Sequence, residues 1–286
     1  MQTKTRAWIH GFVGMLMFSG SLPATRAAVA GFSPLFVTAA RAGGAGMLAL
    51  LLLALVRPPR PRGRQWWLLA WVAGGVVAGF PLLTALALRE ISAAHSLVFV
   101  GLLPLSTAGF AVLLGGERPR PSFWLFAGAG ALLVAGYALH AGGNGTTHAD
   151  LLMLAAILVC GLGYAEGARL SRSLGGWTVI CWALVVSLPL TLPLALAQWP
   201  AHLAHAPLSA WLGLGYVTLI SMLVGFFFWY RGLALGGVAA VSQLQLLQPF
   251  FGLLLAAALL GERVTPAMLA TTAAVVDCVA AARRRA

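Results

Sequence analysis

Residues 102–121 read LLPLSTAGFAVLLGGERPRP, and residues 247–266 read LQPFFGLLLAAALLGERVTP. Aligned without a gap, Pro104 falls on Pro249, Gly116 on Gly261, Glu117 on Glu262, Arg118 on Arg263 and Pro121 on Pro266, each pair 145 residues apart. Five coincidences at one spacing, two in proline and two in charge within an apolar chain, indicate an internal duplication. The halves divide at residues 1–142 and 143–286.

The chain is 60% hydrophobic and 8% charged, where a soluble domain carries roughly 25% charge. A crossing of the hydrocarbon core takes about 20 apolar residues. Ten such runs are present, near 7–28, 35–56, 66–88, 91–114, 122–140, 149–170, 177–197, 208–230, 238–260 and 266–282. Continuous runs of this length predict helices and exclude the alternating strands of a barrel. The expected fold is an all-α polytopic membrane protein of ten transmembrane helices.

The net charge of +12 is a topology signal. With the N-terminus in the cytoplasm, fourteen of the 18 Lys and Arg residues fall inside, Arg26, Arg89 and Arg263 outside, and Arg41 within a span. That asymmetry places both termini in the cytoplasm, the expected location being a bacterial inner membrane, and argues against nucleic acid as a partner. The basic loop Arg57–Arg64 is placed to meet anionic lipid. The N-terminal run resembles a secretory signal, but cleaving it would break the duplication, so it reads as a retained helix. Cys160, Cys181 and Cys278 lie in spans without metal or pairing spacing, and His202 and His205 alone do not make a metal site. No cofactor and no obligate protein partner is expected.

Five spans per half is an odd number, so the second half enters the membrane inverted. Inverted repeats characterise secondary transporters, whose substrate sites lie near the midplane between the halves. Mid-span Pro104 and Pro249 then mark paired bends, either static kinks or hinges, and Pro81 frees a carbonyl in the third span. Gln243, Gln245 and Gln248 place amides at a depth where each needs a partner or a polar ligand. Arg41 reads as reaching an interface or a carbonyl, with a substrate role as the lesser alternative.

Among the six acidic residues, Glu90, Glu117, Asp150 and Glu262 fall at span ends. Glu166 and Asp277 fall within spans and, with His95, are the candidates for ion coupling. Glu166 also stands three residues before Arg169, at the spacing of a local ion pair. No nucleophile–base set, phosphate loop or selectivity ring is visible, which disfavours an enzyme or a channel.

Ten spans, the five-plus-five inverted duplication, and the proline followed by Gly-Glu-Arg in each half together resemble the EamA family of the drug/metabolite transporter superfamily. Within it the sequence is similar to the YddG-type exporters of aromatic and other amino acids. The resemblance implies a basket of helices around a central cavity, which exports small molecules by alternating access. Phe80, Phe99, Tyr164, Trp182 and Phe228 then offer aromatic surface, while Gln245 and Gln248 offer amides to a zwitterionic group. A multidrug exporter or a nucleotide-sugar-like metabolite carrier is the competing expectation. The first should show a buried acid and the second more buried Lys or Arg.

Overall fold

The computed structural model describes residues 2–115, 125–126, 128–130, 132–133, 136–137, 147–200, 206–236 and 241–283. Gly116, Glu117, Arg118 and Pro121, most of the run at 122–140, the linker glycines at 142–145, His202, His205, Arg284, Arg285 and the side chain of Gln243 lie outside the described residues. Among the described residues the regular structure is helical, with no strand.

Among the described residues seven helices are long and apolar enough to cross a membrane: α1 (Thr5–Val29), α2 (Pro34–Val56), α3 (Gln65–Glu90), α4 (Ala93–Leu114), α5 (Thr147–Leu174), α6 (Gly176–Ala197) and α7 (Leu208–Gly236). Two shorter apolar helices follow, α8 (Leu244–Leu260) and α9 (Pro266–Arg283). Leu50, Leu51, Leu55, Leu254 and Leu259 are exposed on the outside of the bundle, and a surface this greasy belongs against lipid. Trp67 and Trp71, exposed just after the basic Arg57–Arg64 loop, fit an interfacial aromatic belt.

The helices pair across the sequence midpoint. α1 packs on α7, α3 on α5, α2 on α6, and α4 on both α5 and α8. Glycines let backbones meet at these crossings. Gly75 on α3 abuts the Gly163 backbone of α5, and Gly14 on α1 abuts the backbones of Gly225 and Trp229 on α7.

Local irregularities recur at the spacing of the sequence repeat. A π-helical segment occupies Ala73–Gly79 in α3 and another Val217–Val224 in α7; shifted by 145 residues, the first falls on 218–224. The prolines sit where a regular helix restarts, each as the second residue of its segment. Pro81 follows the π segment, Pro104 follows a turn at Gly101–Leu102, and Pro249 follows the 3-10 segment Ser242–Leu247. At the start of a helical segment a missing N–H sacrifices no ladder bond. The prolines therefore mark points where the hydrogen-bonding register changes along the spans, with the backbone helical through Gly79–Phe80 and Leu247–Gln248.

The second Gly-Glu-Arg acquires a mechanical reading. Gly261 adopts φ 64° and ends α8 as a left-handed cap, a conformation glycine takes without penalty. The chain then turns so that Glu262 accepts from the Ala93 and Ala94 backbone N–H groups at 3.0 and 2.7 Å, while the Ser92 hydroxyl accepts from His95 N–H. A residue of the second half thus caps a helix of the first, neutralising the orphan donors and dipole at the start of α4. Glu262→Ala should cost about 1–2 kcal/mol, the loss of a charged cap, read as a lower unfolding temperature in detergent. Glu262→Gln, which keeps one acceptor, should lose less.

Candidate functional site

The register changes surround a small central cavity. Phe18, Ser21 and Leu22 of α1 face Arg41 of α2, Val76 and Phe80 of α3 and Leu103 of α4. Cys160 and Tyr164 of α5, Ser221 and Phe226 of α7, and Gln248 at the restart of α8 complete the wall. Its volume is about 20 Å³, room for a water-sized occupant and not for an amino acid.

One side of the wall is aromatic. Phe18 stacks on Tyr164 with centroids 6.3 Å apart, meets Phe226 edge-on at 4.9 Å and Trp229 at 6.0 Å. Tyr164 also contacts Phe226 and Trp229, each at 5.9 Å. These preferred ring geometries make the aromatic face a cohesive unit.

The other side is polar and incompletely satisfied. Ser21 Oγ and Ser221 Oγ are 2.6 Å apart, and the Arg41 Nη2 donates to Ser221 Oγ at 3.3 Å. Gln248 Nε2 donates to the Phe18 carbonyl at 3.5 Å. Arg41 Nε, Gln248 Oε1 and both amide atoms of Gln245 are buried without a hydrogen-bond partner, as is Trp229 Nε1. Gln245 lies near the Tyr164 hydroxyl, outside hydrogen-bonding geometry. Each such atom costs on the order of 1–3 kcal/mol when buried alone, so a cluster at one place marks where a polar ligand or water is met.

The residues singled out in the sequence separate spatially. Phe80, Tyr164 and Gln248 line the cavity, with Gln245 beside Tyr164. Phe99 is buried against His95. Trp182 packs edge-on to Trp66 beside Arg57 and Arg60, and Phe228 lies against His10 near Ser171 and Arg231. Neither belongs to the central wall; a position in the apolar core of a span does not reveal which way a ring faces. Phe18, Ser21, Ser221 and Phe226 carry no composition signal that separates them from packing residues. They enter the site because α1 and α7 cross at glycines.

The ionisable groups also divide. His95 Nε2 is 2.8 Å from Asp150 Oδ1, and the Tyr137 hydroxyl is 3.3 Å from His95 Nδ1. A neutral ring satisfies both contacts, donating from Nε2 and accepting at Nδ1. His95 and Asp150 are 7% and 5% exposed, so Asp150, read from sequence as a span-end residue, is a buried partner. Glu166 pairs with Arg169 at 2.9 Å, at the spacing expected of a local ion pair, and its Oε2 has no partner. Asp277 is exposed on α9, away from the cavity. Asp277→Asn should therefore leave transport rates within a factor of two of wild type in proteoliposomes. Among the described residues no group of three potential metal ligands occurs.

A membrane-embedded helical bundle, irregular at matched points around a small central cavity, has the construction of a solute carrier. The chain belongs to the EamA-like transporter family, whose model matches it twice, over residues 5–139 and 147–279. It is similar to the uncharacterized transporter YdeK of Bacillus subtilis (strain 168), with 61% identity over 284 residues and 99% of each chain covered. A solved protein crystal structure with 20% identity superposes with a TM-score of 0.65, covering 96% of this chain and 97% of its own, a likeness of fold.

Proposed function

We propose that this membrane transporter exports aromatic and other neutral amino acids, or metabolites of similar build, by alternating access through the central cavity. The observation that carries the reading is the pairing of an aromatic face (Phe18, Tyr164, Phe226) with inward-facing polar atoms of Arg41, Gln248 and Ser221. A solute with an apolar ring and a polar head matches both faces.

Ten spans in two inverted halves, 1–142 and 143–286, fit this reading. The reciprocal helix pairings, the π segments at matching positions and the two family matches support it. An occupant the size of an amino acid needs the wall to part. The register changes preceding Pro81, Pro104 and Pro249 supply joints for that motion, in line with interrupted helices in other secondary transporters. A carrier of lipophilic cations would place an acid in the cavity; this wall holds a guanidinium.

The test is uptake of a labelled amino-acid panel into liposomes containing the pure protein, without an imposed gradient. Equilibrating uptake of aromatic and bulky neutral amino acids is expected, falling at least tenfold in Gln248→Ala. Failure of every amino acid to enter would reject the substrate class.

A further inference from the structure

Arg41 is the one buried cation of the cavity wall, and its surroundings do not balance it. It is 3% exposed and seven residues into α2, about 10 Å along the axis from the helix start at 1.5 Å per residue. The side chain does not snorkel to water. It turns inward, where Nη2 meets the Ser221 hydroxyl and Nε meets nothing. Among the described residues no carboxylate pairs with it: Asp150 is taken by His95 and Glu166 by Arg169. A guanidinium stays protonated in proteins, and an uncompensated buried charge is costly enough that such groups normally have an anion beside them.

We propose that Arg41 is the anchor for the carboxylate of the transported solute, and that the site has no charged counterpart for an ammonium group. This rests on the reading of the cavity as the solute route. The guanidinium presents a planar fork suited to a carboxylate, steadied at Nη2 by Ser221, which in turn is held by Ser21, while Nε is left to donate. The aromatic face of Phe18, Tyr164 and Phe226 takes the apolar end. Around that cavity the polar groups left for an amine are neutral, the amide oxygens of Gln248 and Gln245 and the Tyr164 hydroxyl. The substrate class is therefore the aromatic or apolar monocarboxylate. Neutral amino acids are members of it, and their amine is accommodated without being required.

The test uses three probes with the same phenyl body: 3-phenylpropionate, phenylalanine and phenethylamine. Thermal stabilisation of the purified full-length protein in detergent is followed with each, and with sodium chloride alone. Both carboxylates should raise the unfolding temperature with half-maximal concentrations within about threefold of each other. Phenethylamine should need at least tenfold more, and Arg41→Gln should abolish the difference while Arg41→Lys retains part of it. Equal stabilisation by phenethylamine, no stabilisation by either acid, or an unchanged preference in Arg41→Gln would overturn the proposal, as would a full effect of chloride alone. Should Arg41→Gln not fold, the preference of wild type among the probes decides. Arg41-dependent binding without uptake into liposomes would reject the transport reading and leave the anchor standing; amino-acid uptake indifferent to Arg41 would do the reverse.

Discussion

Gly75→Leu is expected to destabilise the protein by about 3 kcal/mol or more, at the top of the range for overpacking, and to abolish transport. A side chain at Gly75 would run into the Val159 carbonyl and stand about 3.0 Å from the Gly163 Cα. The three nearest obstacles are all backbone, so no rotamer change relieves the clash, and α3 must move off α5. Those two helices carry Val76, Phe80, Cys160 and Tyr164 into the cavity wall, so the shift reaches the site as well as the fold. The adjacent glycine provides the control, because a Cβ at Gly74 meets nothing within 4 Å. Gly74→Leu should fold and transport as wild type, helped slightly by the better helix propensity of leucine. The pair is compared by unfolding temperature in detergent and by the fraction eluting as a single species. Equal behaviour of the two variants would contradict the close α3–α5 contact.

Asp150→Ala should cost about 3 kcal/mol. Removing one member of a buried ion pair costs roughly 3–5 kcal/mol, while orphaning a neutral hydrogen-bonding group costs roughly 1–3 kcal/mol, and the value lies where the ranges meet. The carboxylate is the acceptor for His95 Nε2, and the same ring meets the Tyr137 hydroxyl, so one deletion loosens the start of α5, the start of α4 and the Tyr137 side chain. Asp150→Asn keeps an acceptor oxygen and should lose less than half as much. Adding His95→Ala to Asp150→Ala should cost little further, since the two act as one unit. Additive losses in this double-mutant cycle would contradict the coupling.

The class of protein was legible from the sequence because lipid imposes a strong rule: long apolar runs must be helices. Among the described residues, seven of the ten runs are helices long and apolar enough to cross a membrane, and the 145-residue spacing anticipates where the π segments recur. The register changes were less legible. Pro104 and Pro249 signal an interruption, but whether a helix bends through a proline or restarts at it depends on the neighbouring packing. The site was legible in part. Gln248 stood out because an amide at that depth needs a partner, and Glu166 and Arg169 because of their spacing. Asp150 and Glu262 did not, because their partners, His95 and the Ala93–Ala94 backbone, are 55 and 168–169 residues away. The weight of Arg41 likewise depends on which groups of other helices face it.

The central claim is that the cavity between the two faces is the solute path and opens alternately to each side of the membrane. Cys160 lines that cavity and is buried, so it can report on access once Cys181 and Cys278 are replaced by serine. A membrane-impermeant thiol reagent is applied to right-side-out and to inside-out vesicles, with and without an aromatic amino acid. Labelling of Cys160 from both sides, slowed at least severalfold by the amino acid, is the predicted result. Labelling from one side alone, or labelling that the amino acid leaves unchanged, would contradict it.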